Sequence, residues 1–377
     1  MIPDAIPVAV PVAIPVVDVS GWLADPDAPS SVPDEIDRAC REVGFFLIAG
    51  HGIPAADRLA MDTAARDFFA RPASEKQAVS LASGGRAWRG WFPLGGELTS
   101  GVPDLKEGYY VGRDLAANHR DVVSGRLLAG ANLWPADAPR ANAASTDASR
   151  RTASSFKNTV DRWMGQVEIV GQAVLAAMAV GLGLDRQFFA RTLTADPTVL
   201  FRIFRYPPHP AGAEGEDRWG VAEHSDYGLL TLLAHDGRPG LEVHAPNGWV
   251  AVPVDPNLIV CNLGDMLDRL TGGRYRSTAH RVRHHVTAGD GDGSDTGSGG
   301  GDRLSFPFFL DPGWDATVEP LPLTTDGSPA SGDAVARWDR ANLRELSGTY
   351  GEWLTAKVAK VFPDLYDAVE SVASAAD

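Results

Sequence analysis

The sequence predicts an α+β protein, mainly β, in which a barrel or two-sheet jelly roll is flanked by helices. Three observations predict it. After Pro197 the chain breaks into short β-rich runs separated by turn residues such as Asp236-Gly237 and Pro246-Asn247-Gly248. Before it, residues 154–182 carry one apolar stripe of helical period. The first third alternates short helical and strand patterns. With 377 residues, 44% hydrophobic and 22% charged, the chain can bury a sizeable core as one large domain or two ordinary ones.

The elements follow in order. Met1–Val17 is apolar but carries Pro3, Pro7, Pro11 and Pro15 and no basic segment. Prolines at that interval forbid the helix of a signal peptide or membrane span. Residues 1–12 therefore read as an extended or disordered arm, running into a first strand at Val16–Val19. Ile36, Ala39, Cys40 and Val43 mark a helix over Pro33–Val43, stopped by Gly44. Phe45–Ile48 is a buried strand that turns at Gly50-His51-Gly52, and a helix over Ala55–Phe69 ends before Pro72. Gly84–Gly112 reads as a long structured loop with short strands, and Ala129–Ala148 as a polar connection.

The strongest helix spans Ser154–Leu182, with Phe156, Val160, Trp163, Val167, Val170, Val174 and Met178 on one face and Gly181 and Gly183 at its end. Strands are then expected at Val199–Tyr206, Leu229–Leu233, Leu241–Val243, Trp249–Pro253, Leu258–Asn262, His280–Val286 and Leu304–Phe309. Residues 289–302 contain only Gly, Asp, Ser and Thr and form a flexible insertion with no role assigned. A final helix spans Leu343–Val361. The chain thus divides into an arm (1–12), an N-terminal region (13–150), a scaffold helix (151–195), a β core (196–312) and a C-terminal helical region (313–377).

Composition narrows the function. Lys and Arg minus Asp and Glu give 34 − 49 = −15, with the basic residues scattered, which disfavours nucleic acid and anionic membranes as partners. Cys40 and Cys261, the two cysteines, sit among apolar neighbours. Two thiols exclude a disulfide framework and four-cysteine metal sites, and suit a soluble cytoplasmic protein.

The chemistry concentrates in the β core. In His224-Ser225-Asp226, residues i and i+2 of an extended backbone point to one face. A second histidine would complete a facial triad with three open positions, the arrangement that suits a non-haem iron(II) oxygenase. His280, at the start of a predicted strand 56 residues after His224, is the best candidate. Beyond it, Arg303-Leu304-Ser305 puts a guanidinium and a hydroxyl on one strand face, a site for a carboxylate. Tyr206, in Arg205-Tyr206-Pro207-Pro208, is placed to add a phenolic hydrogen bond. The remaining histidines read as turn (His51) or surface and loop residues (His119, His209, His235, His244, His284, His285).

Taken in order, Arg205-Tyr206-Pro207-Pro208, His224-x-Asp226, Arg276-x-x-x-His280-Arg281-Val282 and Arg303-x-Ser305 resemble the isopenicillin N synthase-like family of 2-oxoglutarate- and Fe(II)-dependent dioxygenases. Ile14-Pro15-Val16-Val17-Asp18, Gly44-Phe45-Phe46, His51-Gly52-Ile53-Pro54, Asp104-Leu105-Lys106-Glu107 and Gly351-Glu352-Trp353-Leu354 extend the resemblance over roughly residues 13–365. It implies a double-stranded β-helix, a jelly roll. It also implies iron held by His224, Asp226 and His280, and 2-oxoglutarate chelating that iron with its far carboxylate on Arg303, Ser305 and Tyr206. O2 is the co-substrate; succinate and CO2 leave, and a small molecule of secondary-metabolite type is hydroxylated, desaturated or cyclised. Trp88, Arg89, Trp91 and Tyr110 sit where the family's N-terminal loops approach the metal, and Phe309 follows the Arg-x-Ser strand; these are the substrate-side expectations. Two departures stand out. The insertion at 289–302 lengthens the His280–Arg303 gap, and Phe204 replaces an Asn common in plant members. Two rivals share the constellation: an oxidase of the same fold that does not use 2-oxoglutarate, and a non-catalytic ligand-binding or sensor relative.

Overall fold

The computed structural model describes residues 13–99, 101–136, 155–208, 219–283, 301–324 and 347–361. The arm at 1–12, the insertion up to residue 300, and His209, His284 and His285 lie outside the described residues. The strands are β1 (Val16–Asp18), β2 (Phe45–Ala49), β3 (Gly90–Phe92), β4 (Leu98–Thr99), β5 (Val102–Pro103), β6 (Glu107–Gly112) and β7 (Thr198–Tyr206). After them come β8 (Trp219–His224), β9 (Leu230–His235), β10 (Leu241–Ala245), β11 (Gly248–Ala251), β12 (Ile259–Leu263), β13 (His280–Arg283) and β14 (Arg303–Asp311). The helices are α1 (Ser20–Ala24), α2 (Val32–Glu42), α3 (Ala55–Phe69), α4 (Ala73–Gln77), α5 (Arg120–Val123), α6 (Phe156–Gly181), α7 (Phe188–Arg191), α8 (Asp265–Leu270) and α9 (Tyr350–Val361).

Eight strands form one sheet in the order β1-β2-β12-β9-β14-β7-β6-β3, and four form a second in the order β11-β10-β13-β8. Both sheets line one cavity, so they face each other as the two leaves of a jelly roll. All β14 neighbours pair antiparallel: Ser305 stands opposite Phe204 of β7 and opposite His235 of β9.

Helices back the large sheet. The predicted stripe of α6, from Phe156 to Met178, is buried throughout. Ser155 caps its start by accepting a 3.2 Å bond from the Asn158 N–H. Gly171 lets the helix approach: a Cβ there would lie 2.9 Å from Leu310 and 3.1 Å from Leu232. This helix is long and apolar enough to span a bilayer by length and composition, and half of its most apolar window is buried inside the protein. Each buried Val, Leu or Phe of the stripe contributes roughly 1.5–3 kcal/mol. At the end of α2, Gly44 takes φ +74°, and its N–H bonds the Ala39 carbonyl at 2.9 Å, a left-handed stop that few other residues allow.

Three expectations are corrected. The stretch over 84–112, read as a structured loop with short strands, also holds one longer strand, β6, six buried residues paired along β7, because its aromatic and glycine residues serve a sheet covered on both faces. The insertion is not wholly unpacked, since Asp302 at its end takes bonds of 2.6 and 3.1 Å from Arg205. Within the region expected to be helical after 313, residues 313–324 are not helical, and among the described residues the helix is α9.

Candidate active site

The last residue of β8 is His224, and the register of β8 with β13 sets it directly opposite His280. Their ring centroids lie 4.2 Å apart. Asp226 follows His224 by two residues on extended chain and turns its carboxylate to the same side. Its Oδ1 is 3.9 Å from Nε2 of His224 and 3.8 Å from Nε2 of His280. All three ligand-type atoms fall within 4.8 Å of one another, a separation a single metal ion can bridge.

The surroundings orient these donors. Nδ1 of His224 lies 2.8 Å from the Ala222 carbonyl, and Nδ1 of His280 lies 3.2 Å from that of Thr278. A carbonyl only accepts, so each Nδ1 carries the proton and each Nε2 keeps its lone pair for a metal. Burial lowers both imidazoles; that of His280, with the His224 ring beside it, falls to about 4. Both rings are therefore neutral at neutral pH.

Asp226 behaves oppositely. Burial alone would raise its carboxyl, but the two histidines and two hydrogen bonds hold it below its ordinary value. Those bonds come from the Thr231 hydroxyl at 2.5 Å and the Asn262 amide at 2.6 Å, both to Oδ2. Thr231 and Asn262 face each other across the β9–β12 ladder. Oδ2 is thus occupied, and Oδ1 is turned to the histidines.

A second polar group stands on β14 and β7. Arg303 pairs with Tyr206 across the ladder, its guanidinium carbon 4.8 Å from the Tyr206 ring centroid. Arg303 is buried, yet its Nε and Nη1 have no hydrogen-bond partner. An unpaired buried guanidinium is costly, and the donor set fits a carboxylate of 2-oxoglutarate. Ser305 and Tyr206 line the cavity, whereas Arg303 is not among its lining residues and lies against the Tyr206 ring. His235, expected at the surface, is buried opposite Ser305, and burial and Arg303 push its imidazole down to about 4.

The cavity holds about 170 Å3 and is lined by both histidines, Asp226, Tyr206, Trp88, Tyr110 and Phe309. Arg89 and Trp91 do not reach it. The Arg89 guanidinium donates at 2.8 Å to the Ala87 and Leu128 carbonyls, and Trp91 donates at 2.8 Å to Glu107. Both are core residues, turned away from the cavity by the short β3 strand and the loop before it.

Sequence reasoning missed Arg202, Asp311, Glu97 and Lys106, and the contribution of Leu354, Val358 and Val361 from α9. Arg202 is four residues before Tyr206 and Asp311 eight after Arg303, so strand alternation alone carried the signal for both. Helix α9 is held over the cavity by a 3.3 Å bond from the Trp353 indole to the carbonyl of Tyr227, next to Asp226.

Two family models match the chain: residues 14–137 fit that of the non-haem dioxygenase in morphine synthesis N-terminal region, and residues 197–312 fit that of the 2OG-Fe(II) oxygenase superfamily. A probable iron/ascorbate oxidoreductase of Dictyostelium discoideum is 37% identical over 351 residues, 89% of this chain and 90% of that protein. A 2-oxoglutarate-dependent dioxygenase of Monascus ruber is 33% identical over 314 residues, 81% and 86% of the two chains. Among solved structures, a 2OG-Fe(II) oxygenase family protein of Caulobacter crescentus superimposes with a TM-score of 0.67 at 28% identity, covering 92% of this chain and 99% of that one. A full-length Neurospora crassa protein, solved in complex with alpha-KG and thymine, shares the fold, with a TM-score of 0.69 at 24% identity over 92% and 96% of the chains.

Proposed function

The chain belongs to the 2OG-Fe(II) oxygenase superfamily and is a 2-oxoglutarate- and Fe(II)-dependent oxygenase of a small molecule; from that premise we propose that His224, Asp226 and His280 hold the iron and that Arg303, Ser305 and Tyr206 hold the far carboxylate of 2-oxoglutarate. The convergence of two unprotonated Nε2 atoms and one carboxylate oxygen within 4.8 Å carries the assignment. With both groups bound, the site oxidises a substrate C–H bond with O2 while 2-oxoglutarate leaves as succinate and CO2.

The protein's own residues have separable tasks. The Ala222 and Thr278 carbonyls fix the tautomer and tilt of the two rings. Thr231 and Asn262 keep Oδ2 of Asp226 engaged, so that Oδ1 alone faces the metal position. Arg303 offers two unpaired donors to a carboxylate, and Tyr206 walls it from the substrate side. Trp88, Tyr110, Phe309 and Leu354 enclose the remaining space and exclude water, which strengthens every polar contact inside. The substrate is a compact organic molecule of secondary-metabolite type, and the protein is soluble and cytoplasmic, as the acidic surface and the use of the α6 stripe for packing suggest.

The test is anaerobic addition of Fe(II) and then 2-oxoglutarate, followed as a visible metal-to-ligand charge-transfer band. His280→Ala is expected to abolish iron binding. Arg303→Ala is expected to keep iron but to weaken 2-oxoglutarate by roughly ten- to a hundredfold. Wild-type iron affinity in the first variant, or wild-type 2-oxoglutarate affinity in the second, refutes the corresponding assignment.

A further inference from the structure

Strand β7 turns Leu200, Arg202, Phe204 and Tyr206 into the cavity. Tyr206 serves the end where Arg303 lies. Arg202 stands two pleats away, roughly 13 Å along the strand, beside Tyr110 and Phe309. Its guanidinium carbon lies 3.5 Å from the ring centroid of Tyr110, its cross-strand partner, and 6.0 Å from that of Phe309. The guanidinium hydrogen-bonds the Tyr110 hydroxyl and, at a long 3.5 Å, the Phe201 carbonyl. Among the described residues no carboxylate oxygen lies within 4 Å of Arg202.

Glu97 and Asp311 attract Arg202 from beyond contact distance, while their own contacts lie elsewhere. Glu97 lies 2.9 Å from the Lys106 ammonium and accepts a 2.5 Å bond from the Tyr110 hydroxyl. Asp104 also pairs with Lys106. Asp311 accepts from the Tyr350 hydroxyl at 2.6 Å and the Leu229 N–H at 3.2 Å, and burial raises its carboxyl to about 7. Behind Arg202 stands a second buried cation, Arg89, which adds positive potential instead of neutralising it; burial and Arg202 together push Arg89 down to about 9.

A guanidinium held against an aromatic ring, lining a mainly apolar cavity without a contacting anion, is prepared for a ligand that brings one. We infer that Arg202 is the substrate anchor and that the substrate is a small organic acid, its carboxylate on Arg202 and its apolar body between Trp88, Phe309 and Leu354. A carboxylate fits better than a phosphate. One planar fork matches one planar anion, and Lys106, the next cation on this wall, already holds two carboxylates. The inference rests on the oxygenase reading of the same cavity and adds the class of its substrate.

The test uses the full chain loaded with Mn(II) and saturating 2-oxoglutarate, which closes the Arg303 site without turnover. Benzoate and phenylacetate are compared with benzamide and phenylacetamide by calorimetry, in the wild type and in Arg202→Gln and Arg202→Lys. The wild type is expected to bind at least one acid about tenfold or more tightly than its amide. Arg202→Gln is expected to lose that preference with Mn(II) and 2-oxoglutarate affinities unchanged, and Arg202→Lys to keep only part of it. Acids that bind no more tightly than amides in the wild type, or a preference that survives Arg202→Gln, overturn the proposal. Failure of the wild type to bind Mn(II) and 2-oxoglutarate would instead strike the oxygenase-site reading beneath it.

Discussion

Asn262→Leu and Thr231→Val test whether the carboxylate proposed to bind iron, Asp226, is held by its neighbours. Each replaced group donates one short bond to Oδ2 of Asp226, at 2.6 and 2.5 Å. A hydrogen bond to a charged acceptor is worth roughly 1.5–3 kcal/mol, and loss of such a partner to a metal ligand typically costs about ten- to a hundredfold in metal affinity. Two effects oppose each other. The bonds draw charge from the carboxylate, which weakens it as a donor, but they also prevent it from turning so that both oxygens chelate the metal. Orientation should win, because Oδ1 already stands 3.8 and 3.9 Å from the two Nε2 atoms and needs no rearrangement. Each single variant should lose about tenfold in Fe(II) affinity, measured anaerobically by calorimetry. The double variant should lose less than the product of the two, since both bonds share one oxygen. Co(II) in place of iron reports the coordination number by its visible spectrum, which should shift if Asp226 becomes bidentate. Wild-type affinity together with an unchanged Co(II) spectrum in both single variants would refute the reasoning.

Two other predictions concern stability. The Asp311 carboxyl is raised from 3.8 to about 7 in the folded state, so its favourable contribution is complete below pH 4 and is lost as pH rises towards 7. Asp311→Asn should therefore stabilise the protein at pH 8 by up to about 4 kcal/mol, three pH units at 1.36 kcal/mol each. The gain should shrink towards pH 4 in denaturant titrations, and a gain independent of pH would contradict the assignment. Gly44→Ala should destabilise by more than the roughly 1–2 kcal/mol of a left-handed residue, because its Cβ would lie 2.2 Å from the Arg276 carbonyl; an unchanged melting temperature would show that this junction yields easily.

The cluster proposed to bind the metal was legible because it obeys local geometry. His224 and Asp226 share a face by alternation, as do Arg303 and Ser305, and the burial of α6 followed from its period. What stayed hidden depends on which side of a short element faces inward. The three residues of β3 and the glycine-rich loop before it leave the direction of Arg89 undetermined, so the arginine role on the substrate side was given to a core residue. Arg202 had the right strand parity but belonged to no motif. His235 looked like a loop residue because β9 was expected to end at Leu233, two residues early. The wall formed by α9 is a long-range contact, and an amphipathic pattern does not name the surface it will cover.

That wall separates two properties of the protein. The proposed metal ligands come from β8, the residues just after it and the neighbouring strand β13, whereas part of the roof over the substrate is clipped on from 126 residues away, at Trp353 and Tyr227. The side-chain ties of α9 to the rest of the protein run from Trp353 to the Tyr227 carbonyl, from Tyr350 to Asp311 and from Lys357 to Asp265, a smaller set than the ladders of the sheets, so it can come loose at a cost below that of unfolding them. Such fraying opens a doorway for bulky molecules while leaving the metal-binding residues assembled. Redesign of Leu354, Val358 and Val361 could then retune which molecules are admitted, as one changes a lock's cover plate and leaves the bolt in place.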